Sequence, residues 1–225
     1  MENLSFLNPP PSKGEGIFGL FMSILLFILL TGGSGMTNEQ HAIAPIMDSR
    51  MTFREAIDGT KAPPDVVREL CLLDVRYYSF DGMLHQGQLV VHKDIKADVV
   101  EIFRLIERLR FPVNKAVPIV AYGWSDDASM ADNNASAFNY RTVAGTKRLS
   151  RHACGLAVDI NPFRNPVVHN SGRISPRGAV YRPGDPGVLT PDHPVVGEFI
   201  KRGWQWGANF KSMKDYHHFD RIMAR

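Results

Sequence analysis

The stretch Ser150-Arg151-His152-Ala153-Cys154-Gly155-Leu156-Ala157-Val158-Asp159-Ile160-Asn161 sets a histidine seven positions ahead of an aspartate in otherwise apolar sequence. A second cluster, Asp215-Tyr216-His217-His218-Phe219-Asp220, brings two more imidazoles and two more carboxylates. The His152–Asp159 separation is too long for a one-turn pair on a helix. Instead, the segment from Gly155 reads as a short strand carrying Asp159, with His152 just before it and a bend at Gly155 turning both side chains toward a common point. On a strand, consecutive side chains point to opposite faces, so only one of His217 and His218 can face that point. Two imidazoles and a carboxylate form a ligand set of catalytic zinc, whose fourth position stays open to water. Zinc lowers the pKa of such a water toward neutrality. Amide cleavage also needs a carboxylate to take the water's proton and pass it to the leaving amine. Asp215, three residues before His218 and at the turn into a strand, is the candidate. On spacing alone each residue keeps an ordinary reading as well: a hydrogen-bonded core or surface histidine, a turn carboxylate.

The elements that must position these side chains follow from pattern. Thr52 with Glu55 three residues on is a capping box for one short helix, and Ala62-Pro63-Pro64 opens either a helix or an extended linker. Residues 71–93 read as two β runs around a turn at Asp81-Gly82. A helix follows with Asp94 as N-cap and Ile95, Val99, Ile102, Phe103, Ile106 and Leu109 as its apolar face, ended by Pro112. Residues 117–124 read as a buried strand leading into a polar loop, 125–134. Residues 162–194, rich in proline, glycine and polar side chains, read as a long surface loop, a feature uncommon without a binding or gating purpose. A helix ending at Gly203 and a last strand through Asp215–Asp220 complete the chain. Short strands not regularly interleaved with helices imply an α+β fold, with a small antiparallel sheet carrying the site and helices flanking it.

At this many positions the sequence resembles a known family. Ser150-x-His152-x-x-Gly155-x-Ala157-x-Asp159 is similar to the first signature of the D-alanyl-D-alanine carboxypeptidase and dipeptidase zinc peptidases, the VanY-like group that also contains L-alanyl-D-glutamate endopeptidases. Asp215-x-x-His218-Phe219-Asp220 resembles the family's closing motif, and Gly203-Trp204-Gln205-Trp206-Gly207-Ala208-Asn209-Phe210 its preceding aromatic run. The likeness is firm over 120–225, weaker over 50–120, and does not reach the leader.

The resemblance implies one Zn2+ per chain held by His152, Asp159 and His218, with Asp215 as general base and acid. His217 is then turned away by strand alternation. The family usually has glutamate where Asp220 stands, and Asp220 is read as a partner that orients a ligating histidine. Related enzymes use an arginine upstream of the first ligand, and Arg141 is the match. It would steady the developing oxyanion or bind a substrate carboxylate through its planar fork. Asn139 and Tyr140 are pocket candidates, and Tyr216 is an aromatic wall or core. Ser150 is either a donor near the metal or a turn hydroxyl. The activity implied is hydrolysis of an amide next to a D-amino acid in peptidoglycan stem peptides, as D,D- or L,D-carboxypeptidase or as endopeptidase. Rival readings are a zinc-stabilised peptide-binding module, since the family also resembles the hedgehog signalling domain, and a cytoplasmic D-alanyl-D-alanine dipeptidase.

Composition sets the bounds. A net charge of +3 over 225 residues lacks the dense basic patch of a nucleic-acid binder. Cys71 and Cys154 fit no metal or redox motif and read as reduced, buried thiols. Ile17–Thr31 is an uncharged apolar run of fifteen residues, the length of a signal-peptide core and short of the roughly 20 residues of a spanning helix. Residues 1–35 are therefore expected to be a signal peptide or membrane anchor. The charged flank is poor, with Lys13 offset by Glu2 and Glu15, the small residues Gly32-Gly33-Ser34-Gly35 that follow contain no Ala-x-Ala cleavage site, and Met22 offers an internal start. Residues 36–225 are expected to be one domain, a monomer in the periplasm or cell envelope.

Overall fold

The computed structural model describes residues 44–223, and the leader expected over 1–35 lies outside them. The described chain opens with β1 (Ile46–Met47), α1 (Phe53–Ala56) and α2 (Pro64–Arg68), then the long hairpin of β2 (Leu70–Tyr78) and β3 (Leu84–His92). The Thr52 hydroxyl accepts from the Glu55 amide while the Glu55 carboxylate accepts from the Thr52 amide at 2.7 Å, so the capping box forms in full. β3 pairs antiparallel with β2 and parallel with β1.

Next comes α3 (Lys96–Leu109), which buries Val99, Ile102, Phe103 and Ile106. Two expectations change here. Asp94 is not the N-cap: it lies inside a 3-10 turn, Lys93–Ile95, and its amide donates to the His92 ring. Leu109 is 44% exposed, because the helix ends at a left-handed Arg110 and Phe111 takes the next core position.

Between β4 (Lys115–Ala116) and β5 (Asn134–Ala135) the expected buried strand is a 3-10 turn, Ile119–Tyr122. Pro118 offers no ladder donor, and Gly123 and Trp124 both take positive φ. The expected polar loop forms α4 (Asp126–Ala131), started by the Ser125 hydroxyl accepting from the Ala128 amide. The remaining elements are β6 (Ala157–Asp159), β7 (Val167–His169), β8 (Ile174–Ser175), α5 (Pro194–Lys201), β9 (Trp204–Trp206), β10 (Met213–Asp215) and β11 (His218–Arg221). The single last strand expected is thus two, broken at Tyr216–His217. β10 pairs with β7, and β11 lies between β6 and β9 in a separate antiparallel sheet.

Residues 162–194 are not only a surface loop. β7 and β8 join β10 in a sheet, and Asn165, Val188 and Leu189 are buried. The tryptophans are core: Trp204 and Trp206 lie in the cluster of Phe199 and Phe219, whose rings stack 3.8 Å apart. The fold is α+β, with small sheets and few helices. Cys71 and Cys154 are free but half-buried, packed against the core's edge and not inside it. Among the described residues no helix is long and apolar enough to cross a membrane.

Candidate metal centre

Asp159 closes β6 and His218 opens β11, and the antiparallel register sets them directly opposite each other. His152 arrives from a 3-10 turn, Arg151–Cys154. That turn is capped by Ser150, whose hydroxyl oxygen accepts from the His152 amide at 3.2 Å; of the two roles open to Ser150, this is the turn role. Gly155 ends the turn at φ +66, and a Cβ there would sit 2.7 Å from the His92 nitrogen. The bend between the segments bearing His152 and Asp159 therefore needs glycine, both for its handedness and for its close approach to β3. Backbone pairing locks the rest. Asp159 exchanges hydrogen bonds with Ser136 at 2.8 and 3.1 Å, and the Asn139 amide donates to the His152 carbonyl at 3.0 Å.

The three side chains converge. His152 Nε2 lies 3.2 Å from Asp159 Oδ2 and 3.1 Å from His218 Nδ1, and His218 Nδ1 lies 3.0 Å from Asp159 Oδ1. Each residue offers one ligand atom, all within 4.8 Å of one another. His152 Nδ1 donates to the Ala137 carbonyl at 2.5 Å, which fixes the tautomer and leaves the Nε2 lone pair toward the centre. Burial works against charge on Asp159, but the imidazoles of His152, His217 and His218 hold its carboxyl well below the usual carboxylate range. Burial likewise works against charge on His218, yet Asp159, then Asp220 and the field of Asp215, raise its pKa to about 10. Both shifts state one demand: positive charge is stabilised beside Asp159.

A divalent cation meets that demand, and the donors fit one. Two imidazole nitrogens and a carboxylate are zinc's chemistry. Arms of about 2.0–2.1 Å in a tetrahedron put ligand atoms about 3.3–3.4 Å apart, within a few tenths of an ångström of the separations here. Two buried carboxylate oxygens nearby, Asp215 Oδ1 and Asp220 Oδ1, have no hydrogen-bond partner among the described residues. A site with spare anionic acceptors is built for a cation and its water.

Around this centre the other candidates take different places. Asp215 ends β10 three residues before His218, with its side chain 16% exposed. Asp220 Oδ2 stands 3.6 Å from His218 Nε2, a close approach but longer than a hydrogen bond. Arg141 pairs with Asp126 at 2.9 Å, its buried Nε unpartnered, and its carbonyl accepts from the Ser150 amide at 3.0 Å. Asn139 reaches the other oxygen of Asp126 at 3.4 Å. Tyr216 stacks on Tyr181 at 3.6 Å. Tyr140 packs against the smaller cluster of Ala56, Leu70, Val90 and Phe138.

The expectation for His217 is overturned. Its ring is buried and is not turned away: Nε2 lies 3.1 Å from Asp215 Oδ1 and 3.9 Å from Asp159 Oδ2. Strand alternation does not apply because residues 216 and 217 form the bend between β10 and β11. Other groups at the site carried no readable signal. The Ala137 carbonyl and Asn165 act through backbone placement and tertiary contacts. Asp126 carries a cue only as part of the Ser125-Asp126-Asp127 helix start, which says nothing of Arg141. Gly207 was visible only as one residue within the aromatic run, without its reason: a Cβ there would lie 2.5 Å from the Asp215 carbonyl and 2.8 Å from the Asp215 Cβ.

Fold and site together define an α+β domain organised around a candidate metal centre. Residues 144–221 match the family model described as D-alanyl-D-alanine carboxypeptidase, so the likeness to the VanY-like zinc peptidases holds over a stretch containing both motifs. No curated protein and no solved structure matches the chain.

Proposed function

We propose that this protein is a zinc-dependent peptidase that hydrolyses an amide bond next to a D-amino acid in peptidoglycan stem peptides, as a carboxypeptidase or an L-alanyl-D-glutamate-type endopeptidase. The observation that carries the reading is Asp215. A carboxylate three residues before a ligating histidine, partly exposed and with a buried oxygen left unpaired, is superfluous in a binding module and necessary in a hydrolase.

His152, Asp159 and His218 would hold the zinc, which when bound supplies Lewis acidity and a water acidic enough to attack near neutral pH. The protein's own groups do the rest. Asp215 receives the proton of the attacking water and delivers it to the leaving amine. Arg141, steadied by Asp126, carries the fixed positive charge suited to the developing oxyanion or to a substrate carboxylate. The segment 162–194, joined to the Asp215 strand through β7, shapes which stem peptides enter. The substrate places such an enzyme in the cell envelope.

The decisive experiment incubates the purified, zinc-loaded protein with intact muropeptides and maps the released fragments by mass. Loss of a terminal D-alanine marks a carboxypeptidase, and a cut within the stem marks an endopeptidase. Binding with zinc in place and no fragment overturns the hydrolytic reading in favour of the module.

A further inference from the structure

The turn between β2 and β3 is held from two sides by contacts that the metal centre does not use. On one side stands His85, 8% exposed, with a carboxylate at each ring nitrogen. Nδ1 lies 2.9 Å from Asp48 Oδ1, and Nε2 lies 3.0 Å from Asp81 Oδ2. An ionised carboxylate only accepts, so both contacts are hydrogen bonds when the ring carries both protons. On the other side stands Phe80, whose ring packs on the 162–194 segment. A Cβ on Gly187 would lie 2.5 Å from Phe80 Cζ, and the Arg164 guanidinium sits 5.2 Å from the ring centre. Gly187 is itself fixed, since its carbonyl accepts from the side-chain amides of Asn161 at 3.1 Å and Asn165 at 2.9 Å.

The two carboxylates are not equivalent. Asp48 is 17% exposed, its other oxygen accepts from the Tyr77 hydroxyl at 2.5 Å, and its amide donates to the Gln86 carbonyl at 2.9 Å. Asp81 is 50% exposed, and its other oxygen accepts from the Met83 amide of the same turn at 2.8 Å. A ring that loses one proton therefore keeps Nδ1–H on Asp48, which is pinned. It then sets the Nε2 lone pair against Asp81, which is free to rotate. Neighbouring elements add no competing charge. Tyr77 of β2 lies nearly parallel to the ring with centres 6.1 Å apart, and Arg76 beside it pairs with Glu107 of α3 at 3.0 Å. Tyr122 faces Asp48 and donates to Asp132, which Lys115 neutralises at 2.9 Å.

We propose that this turn is a pH-sensitive clasp on the 162–194 segment: the His85 imidazolium holds Asp81, and with it Phe80 against Gly187, and loss of the Nε2 proton lets the turn swing away. Burial opposes the ring's charge, but the hydrogen bonds to Asp48 and Asp81 outweigh it and raise its pKa above the usual value. The clasp is therefore complete below about pH 6.5, the value of a free ring, and is lost as pH rises through the higher value of the closed turn. It stands apart from the hydrolytic reading, and none of its readouts is an activity.

Amide hydrogen exchange of the full-length protein, followed by NMR and corrected for intrinsic rates, tests it. Three amides report different parts. Met83, bonded to Asp81, reports the turn; Val188, bonded to the Asp185 carbonyl at 3.2 Å, reports the segment; Asp48 reports the sheet. From about pH 5.5 to about pH 8.5, protection at Met83 and Val188 is expected to fall by roughly three- to tenfold, while Asp48 holds within about twofold. Asp81→Asn keeps an oxygen for the Met83 amide and offers its NH2 to the neutral ring, so both profiles should flatten. His85→Gln should flatten them as well, and the half-exposed Asp81 carries the test if that variant fails to fold. Phe80→Ala should leave Met83 with its pH profile while Val188 loses protection at every pH and no longer follows the turn. A pH-dependent Met83 beside a flat Val188 in the parent overturns the clasp, because the turn would then titrate without reaching the segment. An equal fall at Asp48 assigns the effect to the whole domain and overturns it too, as does an unchanged profile in Asp81→Asn.

Discussion

His218 and Asp159 face each other across one rung of the β6–β11 ladder, with His218 Nδ1 3.0 Å from Asp159 Oδ1. The two ligand candidates are therefore set by backbone pairing, and a substitution at either leaves the ladder intact while removing a potential donor to a metal. His218→Ala is expected to lose most bound zinc and all turnover, and Asp159→Asn to weaken zinc by well over tenfold. Elemental analysis after gel filtration checks both, and unchanged zinc in His218→Ala would reject the ligand assignment.

Asp215→Asn separates chemistry from binding. The amide has nearly the volume of the carboxylate and cannot take a proton from water. Zinc content and fold should persist while hydrolysis of stem peptides slows by roughly 10²–10⁴-fold, the usual contribution of a general acid–base group. If the folded, zinc-loaded variant stays within threefold of the parent, Asp220 becomes the next candidate base.

Gly207→Ala tests how tightly the Asp215–His218 segment is seated. The added methyl meets backbone and Cβ of Asp215, together with the Cβ of His218 at 3.2 Å, so none of the obstructing atoms is a flexible side-chain end. Relief requires moving Asp215 and His218 together. Overpacking of this kind costs about 1–3 kcal/mol, read from the urea midpoint, and hydrolysis is expected to fall by more than tenfold. Normal activity at reduced stability would show that the segment relaxes without disturbing the site.

Away from the site, His85 is clamped between Asp48 at 2.9 Å and Asp81 at 3.0 Å. Burial opposes its charge, but the hydrogen bonds to Asp48 and then Asp81 outweigh that and raise its pKa above the usual value. A pKa higher in the folded chain than in the unfolded one stabilises through the protonated form. The contribution is therefore complete below the unfolded value, about 6.5, and is lost as pH rises through the folded value. The stability gap between the parent and His85→Gln should be widest near pH 5 and shrink at higher pH, as followed by chemical denaturation. A gap independent of pH would mean that the ring contributes by packing alone.

Much of this protein is written locally in its sequence. The capping box at Thr52 and Glu55, the hairpin around Asp81-Gly82 and the apolar face of α3 depend on neighbours within one turn or one strand pair, where spacing and residue type suffice. The ligand candidates were legible by another route: on spacing alone each residue kept an ordinary reading, and the resemblance of the two motifs to the zinc peptidases set His152, Asp159 and His218 together. Tertiary structure alone decided the rest. The break at Tyr216–His217 exists because β10 and β11 serve two different sheets, and strand alternation, a rule within one strand, cannot anticipate it. Asp126 meets Arg141, and Asn165 meets His217, only after chain segments 15 and 52 residues apart are packed together. The sequence could nominate a base and a metal. The packing of the buried His217 ring between the Asn165 carbonyl and Asp215 exists only in the folded chain.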